Sequence, residues 1–193
     1  MEKKFLIPHV AVIGGSAGSL EIILDIIGKI PVDCPSVLIV VIHRRNDADS
    51  VLTELLRAKT ALKVKEVEDK DPIKPGYLYI APADYHLLVE SEESFSLDSS
   101  EKLHFSRPSI DISFDSVSEI FGDRSIGVLL SGANADGAEG LVRIAENGGI
   151  TIVQDPATAE VAFMPQQAIN LGIVKHIIEG KKIGDFLNIL LKT

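Results

Sequence analysis

The chain has no tryptophan, one cysteine, and aromatic side chains at only 5% of its 193 positions. A lone thiol, Cys34, closes no internal disulfide, so stability must come from packing rather than cross-links. Cys34 precedes Pro35 at the head of an apolar run and reads as a packed structural residue. No apolar stretch approaches the roughly 20 residues that a membrane helix needs. Met1 to Lys4 leads into a short strand pattern rather than the apolar core of a secretion signal. Membrane insertion is therefore not expected, and a reduced cytoplasmic location is. Basic runs are missing too: 19 Lys and Arg against 28 Asp and Glu leave a net charge of −9. Nucleic acid, which demands a cationic face, is excluded as a partner. There is no H-E-x-x-H, no cysteine pair and no histidine pair at ligand spacing, so no metal is expected. The phosphate-binding G-x-x-x-x-G-K-[ST] loop is also missing.

What is present is an alternation of short apolar runs with helical periodicity, the pattern of parallel strands covered on both faces by crossover helices. Strands are predicted over 6–13, 37–42, 63–67, 77–81, 126–130 and 150–153. Helices are predicted over 20–29, 50–58, 110–121, 138–146, 165–171 and 183–191. Residues 86–90, 94–98 and 102–105 alternate in polarity around turn residues and suggest a small antiparallel hairpin insertion. The predicted fold is α/β: a doubly wound, mostly parallel sheet with helices on both faces. The length suits one such domain, so residues 1–193 are read as a single unit.

Between the first strand and the first helix stands Gly14-Gly15-Ser16-Ala17-Gly18, a G-x-S-x-G turn. Small residues let such a strand-to-helix elbow turn sharply, and they present the serine hydroxyl where helix N–H groups can stabilise an oxyanion. The same five residues also fit an ordinary βα turn. In open α/β sheets ligands bind beyond the carboxyl ends of the strands. His43 follows the second strand, and Asp136 lies in Ser131-Gly132-Ala133-Asn134-Ala135-Asp136-Gly137 after another. Ser16, His43 and Asp136 thus supply nucleophile, base and orienting carboxylate at one sheet edge. Taken singly, His43 also fits a strand-end cap and Asp136 a helix N-cap. A dinucleotide site would want G-x-G-x-x-G and an acidic residue closing the second strand; this chain has neither. His9 reads as packed in the first strand, His104 lies in the hairpin, and His86 falls on a loop near the site.

These segments, together with Pro75-Gly76-Tyr77-Leu78-Tyr79-Ile80-Ala81-Pro82-Ala83-Asp84-Tyr85-His86, Ser106-Arg107-Pro108-Ser109-Ile110-Asp111 and Gln154-Asp155-Pro156-Ala157-Thr158-Ala159, resemble the catalytic domain of CheB-type chemotaxis receptor methylesterases. The resemblance runs over nearly the whole chain. It implies a serine hydrolase that removes methyl esters from glutamate side chains of methyl-accepting chemoreceptors, with glutamine deamidation as a second activity in some members. It implies the triad Ser16, His43 and Asp136, backbone oxyanion donors at Ala17 and Ala133, and no cofactor. The implied partners are chemoreceptor cytoplasmic helices and, because the usual receiver domain is missing here, a separate receiver or methyltransferase protein.

Departures from the family pattern border the site. Ser19 and Leu20 replace a glycine and a proline, Arg44-Arg45 replace Met-Pro, and Gly132-Ala133-Asn134 replace Gly-Met-Gly. Arg44 and Arg45, with Asn134, are candidates for substrate binding, the arginines by pairing with acidic residues near the ester; two solvated loop arginines are the other reading. Two rival functions share these features: a non-catalytic signalling or receptor-binding module of the same fold, and a small-molecule esterase.

Overall fold

A computed structural model describes residues 7–44 and 49–192. The described residues form a seven-stranded, wholly parallel sheet, with a separate two-stranded antiparallel hairpin. The order of elements is β1 (Val10–Gly15), α1 (Leu20–Gly28), β2 (Val37–Ile42), α2 (Asp49–Lys59), β3 (Lys63–Glu66), β4 (Tyr77–Ile80), β5 (His86–Ser91), β6 (Ser94–Asp98), α3 (Ile110–Phe121), β7 (Ser125–Leu129), α4 (Ala138–Glu146), β8 (Ile150–Gln154), α5 (Phe163–Asn170), β9 (His176–Ile178) and α6 (Gly180–Leu190). Across the sheet the strands lie in the order β3-β4-β2-β1-β7-β8-β9. The chain builds outward from β1 through β2, then returns to β1's other flank with β7. That reversal is a topological switch point, where ligand sites of open α/β sheets form.

Strand periodicity sorts the core into two layers. Val10 and Val12 of β1 face α3, α4, α5 and the hairpin, together with Ile39, Val41, Phe114, Leu141 and Met164. Ala11 and Ile13 face α1, α2 and α6, with Ile23, Ile27, Leu56, Ile183 and Leu187. Because both faces of β1 and β7 are covered, every residue of these strands is buried. This explains their unbroken apolar runs. The hairpin rides on α3 through side-chain bonds: Ser113 Oγ donates to the Leu87 carbonyl at 2.8 Å, and the Val89 N–H donates to Ser116 Oγ at 3.1 Å.

Three sequence expectations are corrected. The first strand begins at Val10 and continues to Gly15, because both glycines keep parallel register with Val41 and Ile42. His9 consequently precedes the strand. Residues 102–105 are not a strand: Leu103 and Ser106 form an isolated antiparallel bridge around a tight turn. Their polarity alternates as a strand's would, but the chain reverses at His104. The edge strand β9 was not anticipated, since its three residues are only partly buried and form no apolar run. Among the described residues no helix is long and apolar enough to cross a membrane.

Phe114 is fully buried on α3 and lies against Gly140, at a close approach of α3 and α4. Phe114→Ala is expected to lower the unfolding free energy by about 3–5 kcal/mol, measured by urea denaturation.

Candidate active site

The parallel register pairs Gly15 with Ile42, so the next residues, Ser16 and His43, leave adjacent strands side by side. Neighbouring strands are about 4.8 Å apart. The His43 N–H donates to the Gly15 carbonyl at 3.3 Å, extending the ladder by one bond. Ser16 is pinned by its backbone: its N–H donates to the Ser131 carbonyl at 2.9 Å, and its own carbonyl accepts from Ser19 N–H at 3.1 Å and Ser19 Oγ at 2.7 Å. Ser19, one of the departures from the family pattern, therefore braces the elbow. Gly18 adopts a left-handed φ of 75°, and a Cβ there would lie 2.9 Å from Ser131 Oγ. A side chain at Gly132 would collide with Met164 and approach Ser16 Cβ to 3.1 Å. Both glycines are required by the close approach of the two loops.

Asp136 sits on the far side of β1 and reaches His43 across the N-terminus of α3. His43 Nε2 lies 2.6 Å from Asp136 Oδ2, with the histidine side chain 11% exposed and the aspartate wholly buried. The carboxylate takes three further hydrogen bonds: from Ser109 Oγ at 2.9 Å, the Ile110 N–H at 2.7 Å and the Asp111 N–H at 3.0 Å. Two of these are free N–H groups of the first turn of α3, and Ser109 is the α3 N-cap. Burial alone would push the Asp136 carboxyl upward, but the His43 contact and the N–H donors outweigh it and hold the group below the ordinary aspartate range. Asp136 is therefore anionic at neutral pH and fixes the proton of His43 on Nε2. The ring nitrogen left to accept a proton is Nδ1.

A second carboxylate mirrors the first. Asp111, in the first turn of α3, accepts from the Gly137 N–H at 2.8 Å and the Gly140 N–H at 2.6 Å, capping α4. Asp136 caps α3 from the start of α4, and Asp111 caps α4 from the start of α3. His86 extends the lattice outward: Nε2 donates to the Glu101 carbonyl at 2.9 Å, and Nδ1 accepts from the Ser109 N–H at 3.1 Å. His86 is thus a neutral, fully buried brace for the α3 N-cap, not a second base.

The remaining expected site residues divide. The Ala17 and Ala133 residues are exposed beside Ser16, and among the described residues neither N–H has a hydrogen-bond partner. Asn134 Oδ1 accepts from the Asp136 N–H at 3.1 Å, and its Nδ2 donates to the His104 carbonyl at 3.3 Å. It shapes the loop rather than pointing at an open cleft. Arg44 borders the cleft, but its guanidinium pairs with Glu66 at 3.1 Å and donates to the Ala81 carbonyl at 3.2 Å, so its charge is compensated inside the fold. Arg45 lies outside the described residues. The Ser16 hydroxyl makes no hydrogen bond among the described residues; nucleophile–base contacts commonly tighten only once substrate is bound. Ser109, Asp111 and Ser131 escaped the sequence reading as site residues. Ser109-x-Asp111 before an apolar helix is a capping signal, but nothing local says which carboxylate it receives.

Comparison with known proteins identifies the family. The family model described as CheB methylesterase matches residues 11–187. A relative from Leptospira interrogans, described as a putative protein-glutamate methylesterase/protein-glutamine glutaminase, is 42% identical over 174 residues and covers 90% of each chain. The protein-glutamate methylesterase/protein-glutamine glutaminase of Symbiobacterium thermophilum is 33% identical over 177 residues, which are 92% of this chain and 49% of that one. The present chain therefore spans about half the length of such longer relatives. The crystal structure of the Thermotoga maritima CheB methylesterase catalytic domain superposes with a TM-score of 0.91 at 33% identity, covering 96% of this chain and 100% of that one.

The paired caps generate a pH signature. Burial pushes the Asp111 carboxyl up from 3.8 to about 6, assisted by the Asp136 charge and opposed by the N–H groups of Gly140 and Gly137 and by His104. An acid whose folded pKa is raised favours folding when protonated, so this contribution is present at low pH and lost as pH rises from about 4 through 6. Asp111→Asn keeps an acceptor for α4 without the charge. Relative to wild type, it is expected to be more stable at pH 8 than at pH 4.5; equal differences at the two pH values, by chemical denaturation, would contradict the assignment.

Proposed function

The chain belongs to the CheB methylesterase family, and on that footing we propose that it hydrolyses γ-glutamyl methyl esters on chemoreceptor cytoplasmic helices, using Ser16, His43 and Asp136. The observation that carries the reading is the His43–Asp136 pair at 2.6 Å, its carboxylate buried and anionic, beside the elbow that presents Ser16.

In this reaction Ser16 Oγ attacks the ester carbonyl while His43 Nδ1 takes the hydroxyl proton. The carbonyl oxygen becomes an oxyanion, stabilised by the Ala17 and Ala133 N–H groups. Collapse breaks the bond between the former carbonyl carbon and the methoxy oxygen, and the proton held by His43 passes to that oxygen as methanol leaves. Water, deprotonated by the same nitrogen, then attacks the acyl-serine, freeing glutamate and restoring Ser16. A glutamine side chain entering the same site would release ammonia instead of methanol, which supports the paired methylesterase and glutaminase description of the relatives. Asp136 stays ionised throughout; it stabilises the transient imidazolium and keeps its orientation. Substrate binding by Arg44 is not part of the proposal, because Glu66 already compensates its charge.

Ser16→Ala is expected to abolish methanol release from methylated chemoreceptor membranes. Asp136→Asn is expected to lower turnover about 10²–10⁴-fold by leaving His43 in the wrong tautomer. Release that persists unchanged in Ser16→Ala overturns the proposal.

A further inference from the structure

A cleft of about 540 Å³ opens beside His43, with Asp84, Lys102, Phe105 and Arg107 along its outer wall. That wall is built unusually. Leu103 and Ser106 exchange backbone hydrogen bonds of 3.2 and 2.8 Å, closing a two-residue turn. Its central residues, His104 and Phe105, both have positive φ, at 47° and 63°. Paired positive φ values define the type I′ turn, which strongly favours Asn-Gly. A bulky side chain in this left-handed region is strained. The phenyl group recovers nothing inside the chain, being 97% exposed. Burial of an aromatic ring is favourable, and here that gain is left available to another molecule.

The turn is also held in place. Asn134 Nδ2 donates to the His104 carbonyl, tying it to the loop that carries Asp136. Arg107 Nη1 donates to the Ser99 and Ser100 carbonyls, each at 2.6 Å. Neither Lys102 nor Arg107 is in an ion pair among the described residues, so in a chain of net charge −9 this rim carries two cations beside the single carboxylate of Asp84. An aromatic side chain held outward, with cations around it, at the mouth of a reactive site has the composition of an interface centre.

We propose that the 102–107 turn is the protein-recognition element of the site. Phe105 packs on an apolar strip of the substrate protein next to the esterified glutamate, and Lys102 and Arg107 face that protein's acidic side chains. The proposal rests on the esterase reading. It assigns Phe105 to specificity rather than chemistry, distinguishing a glutamyl ester carried on a protein surface from a free ester.

The test compares kcat/KM for methanol release from a methylated chemoreceptor cytoplasmic fragment with that for p-nitrophenyl acetate. Phe105→Gly suits the turn and removes the phenyl group. It is expected to lower the fragment's kcat/KM about tenfold more than the small ester's, chiefly through KM, whereas Phe105→Tyr preserves the ratio. Lys102→Gln is expected to flatten the salt dependence of fragment turnover. Fragment affinity is measured in parallel on Ser16→Ala protein with and without Phe105→Gly. A kcat/KM ratio and affinity both indifferent to Phe105→Gly overturn the recognition element while leaving the esterase reading in place. Phe105-dependent binding without methanol release by the wild type overturns the reaction and leaves the recognition element standing.

Discussion

The structure around the site depends on an exchange of carboxylates between two helix N-termini. Asp136 stands at the threshold of α4 and accepts from the first turn of α3, while Asp111 stands in that turn and accepts from the first turn of α4. Each helix start leaves N–H groups without intrahelical partners, and each carries the positive end of a dipole. Crossing the caps satisfies both ends and ties the helices together at their reactive end. It also brings two carboxylates into one buried space, where they cannot be equally at ease. Asp136, with His43 added to its donors, keeps its charge; Asp111 bears the strain as a raised pKa.

That asymmetry determines the chemistry available to His43. A carboxylate buried without compensation would take a proton and cease to orient the imidazole. Asp136 avoids this because four donors converge on it, three of them from α3 and its cap. His86 belongs to the same lattice at one remove: by accepting the Ser109 N–H, it fixes the cap residue that touches Asp136. The orientation of one ring thus traces back through a helix N-cap to a hairpin strand. The serine is placed more locally, by strand register beside His43 and by backbone bonds to Ser131 and Ser19.

Much of this was readable in the amino-acid order, for a physical reason. Strands buried on both faces must be apolar at every position, so β1, β2 and β7 announced themselves, and residues just beyond their ends could be taken as site candidates. Ser16, His43 and Asp136 became candidates in that way. The edge strand β9 carried no such mark because it is only partly buried. Residues 102–105 misled because alternating polarity describes a strand and a tight reversal equally well over four residues. Arg44 looked like a free cation because its partner, Glu66, lies on β3, brought near only by the order of strands in the sheet. The crossed caps were hidden for the same reason: Asp111 and Asp136 each fit a local capping pattern, and only the packing of α3 on α4 shows that each serves the other's helix.

The division between well-determined and adaptable parts follows the division of labour. Ser16, His43 and Asp136 hang from the ends of central strands and from two interlocked helices, where a displacement of one group would break several buried hydrogen bonds. The outer wall of the cleft, by contrast, is a single turn tied to that frame at its base and surrounded by solvent at Phe105. Changes at the tip of such a turn leave the buried lattice around His43 and Asp136 untouched. The departures from the family pattern fit this scheme. Ser19 and Asn134 repay their novelty with hydrogen bonds that hold Ser16 and the Asp136 loop, and Arg44 is absorbed into an internal ion pair. The sequence has changed around the His43–Asp136 pair, and two of the changed residues supply hydrogen bonds that support its frame.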